Sequence, residues 1–154
     1  MLALWTTPRA PTATLASDTT RCAAAAEFLR DTQRMIAVIE ADTIDDWRTR
    51  ALQPGCRITA AGNTRLGLAT EAVRFYERLR TGGWKRSPDP FDAAHEASLR
   101  FRRDDTDCLF NVYELPRLFT EAEFRVNDAV RSAPGETRYQ VLVLCLAAAP
   151  AAPR

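Results

Sequence analysis

The run from Tyr139 to Leu146 is apolar on both of the faces that a β-strand would present. A strand of that kind belongs in the middle of a sheet, because an edge or half-solvated position would leave one apolar face in water. The rest of the chain must therefore supply its neighbours. Residues 98–113 read as one β-hairpin. Leu99 and Phe101 alternate with Arg100 and Arg102, Asp104-Asp105-Thr106-Asp107 is turn chemistry, and Cys108 to Tyr113 returns as a second strand. Phe124 to Val130 alternates again, and the turn-forming Ser132-Ala133-Pro134-Gly135-Glu136 leads into the apolar run.

The first half has helical spacing instead. Phe28, Leu29, Met35, Ile36 and Ile39 fall on one stripe of a helix expected over about residues 19–41, with Asp18 or Thr19 as its cap. A shorter helix is expected from Asp42 or Thr43 through Ile44, Trp47 and Leu52, stopping at Pro54-Gly55. Cys56 to Ala60 reads as a short strand or extended loop. A third helix starts at Asn63 or Thr64, carries Ala69, Ala72, Val73, Tyr76 and Leu79 on its apolar stripe, and ends at Gly82-Gly83. The expected fold class is α+β, with two to three N-terminal helices packed on a mainly antiparallel sheet of about four strands formed by the C-terminal half. Residues 1–17 read as a flexible leader, 18–146 as a single domain, and 147–154 as a disordered Ala/Pro-rich tail.

Charge excludes some partners. Twenty-one Lys and Arg against 20 Asp and Glu leave a formal net charge of +1, which argues against duplex DNA or an anionic membrane as a bulk electrostatic partner. No apolar run approaches the ~20 residues needed to cross a bilayer. The opening MLALW lacks the basic start of a signal peptide and has too short an apolar stretch, so it reads as no leader of that type.

Cys22, Cys56, Cys108 and Cys145 are even in number and widely separated, and none forms the Cys-x-x-Cys pair of zinc ribbons or thioredoxin-like motifs. Cys108 shares a strand face with Phe110 and Val112, and Cys145 shares one with Tyr139, Val141 and Val143. Neighbouring strands would let those two sulfurs meet, while Cys22 and Cys56 would staple the helical half. The expected pairing is Cys22–Cys56 with Cys108–Cys145, which implies an oxidising compartment. Four reduced, buried thiols in a cytosolic protein are the alternative.

Chemistry-bearing residues are sparse. His95, with Asp92 and Glu96 beside it, is the only histidine, and no nucleophile motif accompanies it. Asp104, Asp105 and Asp107 suit a turn better than a calcium loop, which needs spaced ligands and a central glycine. Glycine-rich phosphate loops are absent, and Lys85 is the single lysine. The basic strip of Lys85, Arg86, Arg100, Arg102 and Arg103 lies near aromatic residues, but no RNA-binding strand motif is present. Trp84, Pro88, Pro90 and Phe91 form an aromatic-proline connector between the two halves. Trp84 and Phe91 with the Arg100/Arg102 face are therefore the expected binding residues. No catalytic residue, metal site or cofactor is expected. The expected function is a small binding or accessory protein, exported to a bacterial envelope (periplasmic or secreted), with another protein or an envelope component as partner. The alternatives are a cytosolic, dimeric interaction module and, after it, an enzyme using His95.

Overall fold

The computed structural model describes residues 18–46, 49–87 and 98–149. The leader, Trp47, the connector residues Pro88, Pro90 and Phe91, the segment around His95, and residues 150–154 lie outside the described residues. A continuous helical segment opens the fold, with a 3-10 turn over Thr19–Cys22, α1 over Ala23–Glu27 and a π-helical turn over Phe28–Thr32. It is followed by β1 (Ile36–Asp46), β2 (Ala51–Thr64), α2 (Leu68–Thr81), β3 (Lys85–Arg86), β4 (Ser98–Arg103), β5 (Thr106–Tyr113), α3 (Glu121–Ala129) and β6 (Thr137–Ala147). The strands form one six-stranded sheet in the order β1-β2-β6-β5-β4-β3, antiparallel throughout. The doubly apolar run is β6, between β2 and β5, as its sequence requires. The hairpin over 98–113 is β4 and β5, joined through Asp104 and Asp105.

Two expectations are corrected. The sheet has six strands rather than about four, and the helices are not all N-terminal. Residues 36–46 and 51–64 form a long hairpin paired from Ile36↔Ala61 to Asp46↔Ala51, where helix was expected up to Pro54 and only Cys56 to Ala60 was expected to be extended. Ile36, Val38, Ile39, Thr43 and Ile44 are β-branched and favour a strand once a partner is available. The helix ends earlier because Arg34 takes a left-handed conformation, φ 56°, a stop normally marked by glycine or asparagine. Pro54 is tolerated because it pairs with Thr43 alone, lying beyond the last β6 pair, Gly55↔Leu146. Gly55 itself admits no side chain. A Cβ there would run into the Cys145 carbonyl and come within 2.7 Å of Ile44 Cδ1.

The second correction is α3, which the alternation of residues 124–130 mimics as a strand. Its buried residues Ala122, Glu123 and Val126 follow helical spacing. Thr120 caps it, its hydroxyl accepting the Glu123 N–H at 3.2 Å. The Thr-x-x-Glu signature of a helix start was present in the sequence.

Register sorts the core onto two faces. One carries Ile58 of β2, Val143 of β6, Phe110 of β5 and Leu99 of β4 in a row. These residues join Phe28 and Leu29 of the first helical segment and Phe75, Tyr76 and Leu79 of α2 in the main cluster. Phe75 lies at its centre, edge-on to Phe28 at 5.2 Å and near Phe110 at 5.9 Å. The other face is covered in part by α3, whose Val126 packs with Val130 on Ala61 and Val38.

Glu123 anchors α3. It has no exposed surface, yet its carboxylate is saturated. Oε1 accepts the Tyr113 hydroxyl at 2.9 Å and the Arg117 N–H at 3.0 Å, and Oε2 accepts the N–H groups of Leu118 and Phe119 at 2.9 and 2.8 Å. Removing a buried charged acceptor strands each of those donors, at a cost of ~1–3 kcal/mol each where water does not replace it. Glu123→Ala is therefore expected to lose about 3 kcal/mol, read as a lower urea midpoint. Glu123→Gln should fall between, because its amide NH₂ would face donors. Unchanged midpoints for both would refute the anchoring role.

Candidate functional site

A cleft of about 420 Å³ opens where the first helical segment, β2, α2 and β6 meet. The end of the helical segment supplies Thr32, Gln33 and Arg34, and the end of β2 supplies Asn63 and Thr64, followed by Arg65 and Leu66. Helix α2 adds Glu71 and Arg78, and β6 adds Tyr139. Glu71 and Arg78 lie two helical turns apart and so share one face of α2.

The polar groups of the cleft form a chain. Glu71 is 6% exposed and accepts the Thr64 hydroxyl at 2.7 Å. Arg78 approaches the same carboxylate at 3.5 Å and donates to Gln33 Oε1 at 2.7 Å. The Tyr139 phenol lies near the same carboxylate. Burial, followed by the Glu71 charge, raises the Tyr139 pKa well above the ordinary phenol range, so the hydroxyl stays protonated. Glu71 thus works as a strut between β2 and α2, with its oxygens already engaged, and Arg78 carries the chain on to the first helical segment.

Two features of the lining bear on what it could hold. Gln33 is 8% exposed, and its amide nitrogen finds no acceptor among the described residues. The lining also holds three guanidinium groups, Arg34, Arg65 and Arg78, against the single carboxylate of Glu71. Arg65 is shared with Glu136 at 3.5 Å and with the Pro134 carbonyl at 3.3 Å.

The residues expected from sequence fall elsewhere. Phe91, His95, Asp92 and Glu96 lie outside the described residues. Trp84 is 2% exposed and sits edge-on to Phe110 at 5.4 Å, with the Arg103 guanidinium 5.9 Å from its ring centroid. Arg100 is buried. Arg102 grips Asp107 through two hydrogen bonds, Nε to Oδ1 at 2.6 Å and Nη2 to Oδ2 at 2.9 Å. Strand alternation places Arg100 and Arg102 on the opposite side of β4 from Phe101, which belongs to the same core as Trp84. The structure therefore does not bring Trp84 and the two arginines onto one surface. The three aspartates also separate. Asp104 and Asp105 make the turn, and Asp107 is buried against Arg102.

The four cysteines converge. Cys22 is joined to Cys56, with Cα atoms 6.0 Å apart, and Cys108 to Cys145 at 4.2 Å, the pairing expected from the sequence. Cys56, Cys145 and Cys108 lie in register on three adjacent strands, and all four side chains are fully buried. No helix among the described residues is long and apolar enough to cross a membrane.

Sequence reasoning missed the cleft. Glu71 and Arg78 lie off the apolar stripe expected for this helix, and Gln33 carries no signal in the sequence. Only the unusual burial of a carboxylate in a polar helix face marks the place, and burial needs the fold. No protein-family model, curated protein or solved structure matches this chain.

Proposed function

We propose that this chain is a small non-catalytic binding protein of an oxidising compartment, such as a bacterial envelope, and that its ligand is a small molecule seated in the cleft at Gln33, Glu71, Arg78 and Tyr139. The observation that carries this reading is the buried Glu71 strut. It links β2 to α2 through Thr64 and pairs with Arg78, which extends the chain to Gln33 of the first helical segment. Walls fixed before a ligand arrives reduce the ordering cost of binding. Because the carboxylate oxygens are already engaged, the group supports positioning better than proton transfer. The two cysteine pairs favour an oxidising environment, where such bonds persist.

Two measurements test the reading. Protein isolated from its native cells and alkylated without reductant is expected to show no modified cysteine; four modified thiols would remove the oxidising compartment. Purified protein incubated with the small-molecule fraction of those cells, then desalted, should retain a species detectable by mass spectrometry that Arg78→Leu loses. A wild-type protein that retains nothing would overturn the cleft as a binding site.

A further inference from the structure

Resting on the cleft as the binding site, we infer that its ligand is a small organic oxyanion, a molecule presenting a carboxylate or phosphate group to Gln33 and Arg78. Hydrogen-bonding capacity in the cleft is lopsided. The amide and carboxylate acceptors that line it, and the Thr64 hydroxyl, are occupied. Gln33 Oε1 accepts from Arg78, Asn63 Oδ1 from the Ser132 hydroxyl, Thr64 Oγ1 from the Leu66 N–H, and Glu71 from Thr64 and Arg78. Donors are in surplus. The Gln33 amide nitrogen, in a side chain 92% buried, has no partner among the described residues. Arg78 lies beside it with 43% of its side chain exposed. A ligand that completes this site must bring acceptors.

Charge points the same way. Three guanidinium groups face one carboxylate in the lining, and that carboxylate is already paired with Arg78. The planar fork of arginine matches the paired oxygens of a carboxylate or phosphate. Arg34, held at φ 56° where the helix ends, adds an exposed guanidinium at the rim. The volume of about 420 Å³ lies toward the lower end of the ~300–1,000 Å³ typical of small-molecule sites. That suits a sugar acid, a short-chain polycarboxylate or a sugar phosphate.

The test is calorimetry and thermal shift on the full chain at low ionic strength, with citrate, galacturonate, inorganic phosphate and glucose 6-phosphate as probes. Galactose is the neutral control and sodium chloride, at matched ionic strength, the salt control. Binding by at least one acid, with galactose and salt inactive, is expected; the carboxylate and phosphate arms identify which group is read. Arg78→Gln should weaken that binding at least tenfold, Arg78→Lys less, and Gln33→Leu measurably, with each variant's fold checked by circular dichroism. Acids that bind no better than sodium chloride would overturn the oxyanion inference. Binding of galactose alone, sensitive to Gln33→Leu, would overturn the ligand class and leave the cleft as a binding site. Acid binding indifferent to both Arg78→Gln and Gln33→Leu would place the ligand elsewhere and overturn site and class together.

Discussion

Reduction of both disulfides is expected to remove about 7–8 kcal/mol of stability, half or more of a margin that is of order 5–15 kcal/mol for a whole domain. The bonds span sequence separations of 34 and 37 residues. In the chain-entropy account, loops of that size each contribute about 4 kcal/mol by restricting the unfolded chain. They follow one another along the chain without overlapping, so the two contributions should nearly add. Their local consequences differ. Cys108–Cys145 links β5 to β6, strands already paired from Thr106↔Ala147 to Tyr113↔Gln140. Cys22–Cys56 instead ties the first helical segment to β2, and that segment carries Gln33 and Arg34 to the cleft. Both Cys22→Ala/Cys56→Ala and Cys108→Ala/Cys145→Ala should lose about 4 kcal/mol in guanidinium unfolding. Only the first should also weaken ligand binding in the cleft. Equal midpoints for oxidised and reduced wild type would refute the stabilising role.

That division follows what the sequence could and could not reveal. β6 was legible because only a central strand can hide apolar residues on both faces. The cysteine pairing followed from it, since Cys108 and Cys145 share faces with known core residues. β1 was not legible, and β2 only at Cys56 to Ala60, because Met35, Ile36 and Ile39 satisfy helical spacing as well as β-propensity, and long-range pairing decided between them. The stop at Arg34 involves a residue type that gives no warning of φ > 0. In α2 the stripe was read slightly rotated. Ala72, Tyr76 and Leu79 are buried as expected, but Val73 is 59% exposed and Phe75 takes the central place. For α3 the alternation of apolar residues outweighed a capping signature that deserved more weight. The cleft was invisible for a different reason. Gln33, Glu71 and Arg78 are ordinary polar residues until three elements converge on them.

The fold is also expected to fail steeply in alkali, starting above pH 10 or so. The chain has three tyrosines, and each is 9% exposed or less. Burial raises the pKa of all three well above the usual phenol value, and neighbouring Glu123 and Glu71 push Tyr113 and Tyr139 further up, while Arg86 partly offsets the effect at Tyr76. A group whose folded pKa exceeds its unfolded value stabilises the fold fully below the unfolded pKa. That contribution is lost as pH climbs toward the folded value. At pH 11 ionisation of each tyrosine in the unfolded chain is worth about 1.4 kcal/mol, so the three together remove about 4 kcal/mol. Phenolate absorbance and far-ultraviolet circular dichroism should therefore change together in one transition, displaced above the pH at which free tyrosine titrates. Tyrosines that ionise near pH 10 while the circular dichroism holds would show that the phenols are not buried as described. Tyr139→Phe separates the two roles of that residue. It should flatten the alkaline loss by about one third of the total, and because Tyr139 also lines the cleft, any weakening of binding at neutral pH reports the lost hydroxyl there and not the titration.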